Sequence, residues 1–317
     1  MVATDSAFFD WLMEMLRSIA GMRSPFMNTV MSGITLLGQE AVTIVLAVIV
    51  LYCFSKRSGY KFLFMFLTGT LINQALKFIF MIPRPWVIDP DFEIVESARS
   101  AATGWSFPSG HTQSAVMAYG GIANESKKKW AYFVAAALIV LIGFSRMYLG
   151  VHTCLDVVVA LITGIFSIAL AEILFKIFED RPAFPSVIMG IASALALGFL
   201  IVVMVTDKSE LRDDNFGTAA MIFGLSFGVF CGSIIERRFV NFETKAVWWV
   251  QIIKVVLGVA IILGLRIGLK PLFKLIYDSP IMNAPRYFLM TFVGVAVYPL
   301  SFKLLNALDR RKKAENE

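Results

Sequence analysis

The chain contains two histidines, His111 and His152, and both stand among residues equipped to handle a charged group. His152 lies four positions before Asp156 in Ser145-Arg146-Met-Tyr-Leu-Gly-Val-His152-Thr-Cys-Leu-Asp156. That spacing predicts one shared helix face. A carboxylate that holds Nδ1–H leaves Nε2 available as a nucleophile. Asp156 falls inside the apolar run from Leu155 to Leu161, where an unpartnered carboxylate is costly, so a partner is expected. The plainer alternative is a structural His–Asp pair that ties a turn.

His111 belongs to Phe107-Pro108-Ser109-Gly110-His111-Thr112. Pro108 and Ser109 read as a helix start, with Ser109 near the N-cap. Free N–H groups and the helix dipole there favour an anion, and Gly110 lets an oxygen approach the backbone. A third group is Lys77-Phe-Ile-Phe-Met-Ile-Pro83-Arg84-Pro85. Its prolines end a helix and stiffen the exit. The plainer alternatives are a simple cap with an incidental histidine, and a snorkelling Lys77 followed by an interfacial Arg84 anchor.

The elements that position these residues are membrane helices. Hydrophobic residues make up 58% of the 317 and charged residues only 16%, whereas soluble domains are nearer half and a quarter. The excess falls in nine long blocks, at 39–54, 61–82, 110–124, 130–146, 152–176, 186–206, 217–235, 247–269 and 286–306. A membrane span needs roughly 20 mostly apolar residues. The expected fold is all-α, a polytopic transmembrane helix bundle of about nine spans. The first block is short and extends backward through 25–38. Residues 8–19 predict an interfacial amphipathic helix, not a signal peptide. The expected divisions are 1–38, amphipathic and interfacial; 39–178, a catalytic core; and 179–317, an extension of about four spans. Cys53, Cys154 and Cys231 read as small buried hydrophobes.

Alternate loops carry the Lys and Arg residues: Lys56, Arg57 and Lys61; Lys127 to Lys129; Lys176 and Arg181; Arg237, Arg238 and Lys245; and the tail Arg310 to Lys313. The positive-inside bias makes these loops cytoplasmic, the N-terminus external and the C-terminus internal. The net charge of +6 belongs to that rim, so no nucleic-acid partner is implied. His111, His152, Lys77, Arg84, Ser109, Arg146 and Asp156 then gather at the outer ends of the second to fifth spans.

Taken together, Lys77-x6-Arg84-Pro85, Pro108-Ser109-Gly110-His111 and Ser145-Arg146-x5-His152-x3-Asp156 resemble the three motifs of the type 2 phosphatidic acid phosphatase superfamily. That superfamily includes lipid phosphate phosphatases, glucose-6-phosphatase and vanadium haloperoxidases. The resemblance covers roughly residues 40–176 and matches every motif position. It implies a phosphatase in which His152 attacks phosphorus and forms a phosphohistidine while Asp156 orients it. His111 protonates the leaving oxygen and then activates water. Lys77, Arg84, Ser109, Gly110 and Arg146 bind the phosphate, with the arginines able to grip two oxygens each. No cofactor and no metal are implied.

The expected partners are a lipid phosphate substrate and the bilayer, with a homodimer possible through the last four spans. The expected location is the bacterial inner (plasma) membrane, with the site on the extracytoplasmic side. Phosphatidylglycerol phosphate, undecaprenyl pyrophosphate, phosphatidic acid and a sphingoid-base phosphate remain open as substrates. So do a sugar phosphate and lipid phosphotransfer. A transporter reading fits poorly, because the polar set lies at one rim and in one half of the chain. A haloperoxidase reading fits poorly because those enzymes are generally soluble. The connector 86–105, with Asp89, Asp91, Glu93, Glu96 and Arg99, reads as a lid, a headgroup reader or a solvated linker. Lys270, Lys274 and Arg286 mark the outer side of the extension, which reads as packing or as a groove wall.

Overall fold

In a computed structural model of the chain, residues 7–306 are described, and their regular structure is entirely helical. The helices are α1 (Ala7–Ala20), α2 (Pro25–Leu36), α3 (Glu40–Phe54), α4 (Lys56–Phe80) and the short α5 (Pro85–Ile88). Then α6 joins Gly110–Ala115, a π-turn Val116–Gly120 and Gly121–Ser126. After it come α7 (Lys129–Tyr148), α8 (Cys154–Ile177), α9 (Phe184–Thr206), α10 (Arg212–Val240), α11 (Trp248–Ile276) and α12 (Pro280–Asn306).

Seven of these segments are long and apolar enough to cross a membrane: α4 with α5, and α7 to α12. The pair α2 and α3, bent by 40°, makes an eighth if it is one span. This is fewer than the nine blocks in the sequence. The difference is block 110–124, which forms α6. At the usual rise α6 is only about 25 Å long, short against a hydrocarbon core of about 30 Å, and a π-turn interrupts it. Large apolar side chains stay exposed along the helices, among them Phe133, Ile162, Ile201 and Ile267. Such surface suits lipid and would be a liability in water. Arg310 to Lys313, counted with the cytoplasmic charge, lie outside the described residues.

Contacts divide the chain into two units, Met1–Thr43 with Thr68–Leu170 and Ile44–Leu67 with Ala171–Glu317. In the first unit α1 is amphipathic, as expected, but its apolar face packs on protein. Phe9 and Leu12 meet Ile82 and Phe107, while Met13 and Leu16 meet Phe92. Leu12 and Leu16 are almost wholly buried, worth roughly 1.5–3 kcal/mol each. Phe8 and Trp11 remain half exposed on the other side. Met31 of α2 packs on Tyr148, Leu149, Val151, Ala98 and Ala102. The two N-terminal helices thus cover the connectors 81–109 and 149–153. A Cβ on Gly143 would lie 3.6 Å from Thr112, which sets the start of α6 beside the end of α7.

In the second unit α10 and α12 approach closely at small residues: a Cβ on Gly224 would meet the Ala284 carbonyl, and one on Gly228 the Phe288 carbonyl. Small residues at such faces let membrane helices pack backbone to backbone. Tyr52 is buried among Phe242, Tyr298 and Phe302 and donates to the Gly294 carbonyl. Lys254, fully buried, donates to the Glu243 carbonyl and lies 4.8 Å from the Phe302 ring centroid.

Candidate active site

The spacing of the third motif follows from how α7 stops and α8 starts. Gly150 has φ +81°, a region open to glycine at little cost. Its N–H bonds the Met147 carbonyl at 2.9 Å, and Val151 N–H reaches back to the Arg146 carbonyl at 3.1 Å. This is the Schellman pattern that closes a helix. It leaves Arg146 in the last turn of α7 and delivers His152 directly after the turn.

Thr153 then caps α8. Asp156 Oδ2 accepts from Thr153 N–H at 2.8 Å, and Thr153 Oγ1 accepts from Asp156 N–H at 3.4 Å, a reciprocal capping box. His152 therefore precedes the helix and does not share a helical face with Asp156, contrary to the sequence expectation. The two still meet, with Nδ1 3.3 Å from Oδ2, because a carboxylate in the first turn of a helix points back toward the cap. Ser106 Oγ donates to the same carboxylate oxygen at 2.6 Å. The partner expected for Asp156 is thus a set of three donors.

His152 Nε2 is not free. Arg84 Nη1 lies 3.0 Å from it and also donates to the Val151 carbonyl at 2.9 Å. A guanidinium has donors only. Nε2 must therefore accept, and the ring proton sits on Nδ1 toward Asp156. In its turn outside the spans, the His152 imidazole is held well below its usual range, first by burial and then by Arg84, Arg146, Lys77 and His111. Burial, the neighbouring cations and the Arg84 contact all favour the neutral ring.

The first motif is built from two short backbone events. Met81, at φ +47°, ends α4 with its N–H on the Lys77 carbonyl. Arg84 is the N-cap of α5, with Pro85 at its first position. Lys77 Nζ donates to the carbonyls of Trp105 and Ser106. Arg84 donates through Nη2 to Thr103 at 2.7 Å and through Nε to Gly104 at 3.1 Å. The connector 86–105 is thus more than a solvated link: Phe92, Ala98 and Ala102 are buried, and its end engages both cations.

Ser109 caps α6, accepting from Thr112 N–H, and its own N–H bonds the Asp156 carbonyl at 3.0 Å. That bond ties the start of α6 to the start of α8. Gly110 and His111 follow as the first residues of α6. Gly38, between α2 and α3, fits against His111, where a Cβ would lie 3.0 Å from the His111 carbonyl oxygen. Arg146, 1% exposed, donates through Nη1 to Thr35 Oγ1 at 2.7 Å. Its Nε and Nη2, His111 Nε2 and Trp105 Nε1 are buried with no hydrogen-bond partner. Each such group costs about 1–3 kcal/mol if left unpaired; an oxyanion would satisfy the Arg146 and Trp105 donors, and His111 Nε2 as well when that nitrogen carries the proton.

All eight residues singled out in the sequence lie in the first unit. Sequence reasoning missed Ser106, Thr153, Thr35, Trp105 and Gly38. Thr153 carried a readable signal, the Thr-x-x-Asp of a capping box. Thr35 and Gly38 are distant in sequence and carried none. Among the described residues, no group of three His, Cys, Asp or Glu side chains is placed to hold a metal ion. The concentrated charge here is cationic.

Residues 58–183 match the PAP2 superfamily, and residues 220–311 match the PAP2 superfamily phosphatase transmembrane extension. Phosphatidylglycerophosphatase B of Bacillus subtilis is 34% identical over 175 residues, which is 50% of this chain and 78% of that protein. Undecaprenyl-diphosphatase of Sulfolobus acidocaldarius is 25% identical over 141 residues, 44% of this chain and 66% of that protein. No solved structure matches the chain. With the three motifs folded around one histidine and a third of its aligned residues shared with a phosphatase across most of that protein, the chain belongs to the PAP2 superfamily.

Proposed function

We propose that this membrane phosphatase hydrolyses a lipid phosphate monoester, of the phosphatidylglycerol phosphate type, through a phosphohistidine on His152 and without a metal. The observation that carries the mechanism is the clamp on His152: Nδ1 on Asp156, Nε2 facing Arg84. The substrate class rests on the similarity to phosphatidylglycerophosphatase B. A lipid pyrophosphate is the second reading, supported by the weaker similarity to undecaprenyl-diphosphatase.

A phosphate monoester carries about two negative charges near neutral pH. Its oxygens take over donors of Lys77 and Arg84 from the carbonyls of residues 103–106 and engage the unpartnered Nε and Nη2 of Arg146. Arg84 leaves Nε2 for a phosphate oxygen, and the Nε2 lone pair attacks phosphorus. The bond to the leaving oxygen breaks, and that oxygen takes a proton from His111, which must enter this step as the imidazolium, the form that the bound phosphate dianion favours. Asp156, held by Ser106 and Thr153, steadies the imidazolium. Water then attacks phosphorus with His111 as base, the P–N bond breaks, and His152 recovers its lone pair. The Lys/Arg loop bias supports a site on the extracytoplasmic face of the plasma membrane. We assign no chemistry to the last four spans.

The test is covalent trapping with EDTA present. p-Nitrophenyl phosphate has a good leaving group and needs little protonation in the first step. His111→Ala should therefore accumulate an acid-labile phosphoprotein while turnover falls by roughly 10²–10⁴-fold. His152→Ala should form no adduct. An adduct mapped to His111, or activity lost in EDTA and restored by Mg²⁺, would overturn the mechanism.

A further inference from the structure

The ends of α4, α9 and α10 in the second unit enclose a cavity of about 220 Å³. Four cationic side chains line it, Lys56, Arg57, Arg181 and Arg237, against one carboxylate, Glu236. Four against one leaves an excess of three positive charges. Glu236 is already matched: Lys56 Nζ lies 3.0 Å from Oε1, and Tyr60 Oη donates to Oε2 at 3.2 Å. Arg57 donates to the carbonyls of Phe175 and Glu179, which fix the guanidinium without cancelling its charge. Arg181 and Arg237 are exposed at the rim. Ser186 and Ser233 add hydroxyls, joined at 2.9 Å.

The surroundings select the kind of anion. One turn apart on α9, just past Ser186, Val187 and Ile191 are 54% and 51% exposed. Their apolar surface suits acyl chains, whereas a free anion would gain nothing from it. The cations stand at helix ends and in a turn that the charge bias assigns to the cytoplasmic side, where anionic phospholipids concentrate. Basic pockets between membrane helices on that side hold lipid headgroups. We propose that this cavity is a second lipid site, binding the phosphodiester headgroup of an anionic phospholipid with its acyl chains along α9. It takes a diester and contains no histidine, so it is a binding site without chemistry. It stands independently of the phosphatase mechanism.

Native mass spectrometry of the full chain in detergent tests this with three probes: dioleoylphosphatidylglycerol, dioleoylphosphatidylcholine and inorganic phosphate. The expected result is a retained phosphatidylglycerol adduct that phosphatidylcholine does not form and phosphate does not displace. Two rim arginines, at the usual contribution of a basic side chain near an anionic surface, make Arg181→Gln/Arg237→Gln bind roughly 30-fold more weakly. Arg181→Lys/Arg237→Lys should retain most of the binding, and both variants should keep p-nitrophenyl phosphate turnover. Equal retention of the two lipids, or a glutamine variant that binds normally, overturns the proposal. Displacement by phosphate makes it a free-anion site and overturns the lipid reading. An adduct lost in His152→Ala but kept in the glutamine variant places the lipid in the catalytic site and also overturns it.

Discussion

Asp156 Oδ2 receives Ser106 Oγ, Thr153 N–H and His152 Nδ1, so the carboxylate stays oriented although it is buried in an apolar stretch. Removing one donor to a charged acceptor costs about 1.5–3 kcal/mol. Ser106→Ala should therefore lower kcat by roughly 10–100-fold with little change in KM, since Ser106 acts on His152 only through Asp156. A variant with normal kcat would show that Thr153 alone holds the carboxylate. The histidine itself gives a direct readout, because the chain has only two. In ¹⁵N-histidine-labelled protein, His152 should show one protonated nitrogen, Nδ1, and one bare nitrogen, Nε2. It should keep that form as pH falls through about 6.5, where a free imidazole charges. The sign follows from burial and the surrounding cations, which disfavour the charged ring. With His111→Ala used for assignment, titration of His152 in the ordinary range would contradict the site described above. The residues proposed to react stood out in the sequence because their types are rare in an apolar chain. It could not name Thr35 or the carbonyls of Thr103 to Ser106, since a hydroxyl on a distant helix and a backbone oxygen leave no local pattern.

At the level of elements, the Arg-x5-His-x3-Asp spacing is a helix stop joined to a helix start. The stop depends on Gly150. Alanine there must adopt φ near +81°, which costs about 1–2 kcal/mol for a residue with a Cβ. The new Cβ would also lie 2.7 Å from Arg23 Nη2 and 3.0 Å from Phe92 Cε1. Arg23 would have to loosen its bonds to the Tyr148 and Glu93 carbonyls. Gly150→Ala should therefore lower the melting temperature by several degrees and reduce turnover as well, because His152 is two residues on. Unchanged melting would mean that the turn is not built on this glycine. The gross pattern of helices was legible from apolar blocks and prolines. What the blocks could not show was the burial of the apolar face of α1 on Ile82, Phe107 and Phe92. An amphipathic stripe looks the same whether it meets lipid or protein. The His–Asp pairing was expected for the wrong reason, since spacing of four occurs both within a helix and across an N-cap.

Across the whole molecule, the number of bilayer crossings turns on α6. By length alone α6 falls short of a span, which is why seven or eight segments qualify. Yet its start packs beside the end of α7, with Thr112 next to Gly143, and only Lys127 and Lys128 separate the two helices. Two adjacent helices joined by so short a turn run antiparallel, so if α7 crosses, α6 runs back along most of its length. We propose on this ground nine passes, with α2 and α3 counted as one and α6 added to the segments that qualify by length. The sidedness proposed above from the Lys/Arg bias has Lys128 in the cytoplasm and the 207–211 loop outside. In a variant without Cys53, Cys154 and Cys231, a cysteine at Glu210 should react in intact cells with a membrane-impermeant maleimide. A cysteine at Lys128 should react only after lysis. Both residues are exposed, so neither outcome can be blamed on burial. If both positions label from outside, α6 and α7 do not form a crossing hairpin with this sidedness. If the pattern is reversed, the histidines face the cytoplasm and the substrate must be drawn from the inner leaflet.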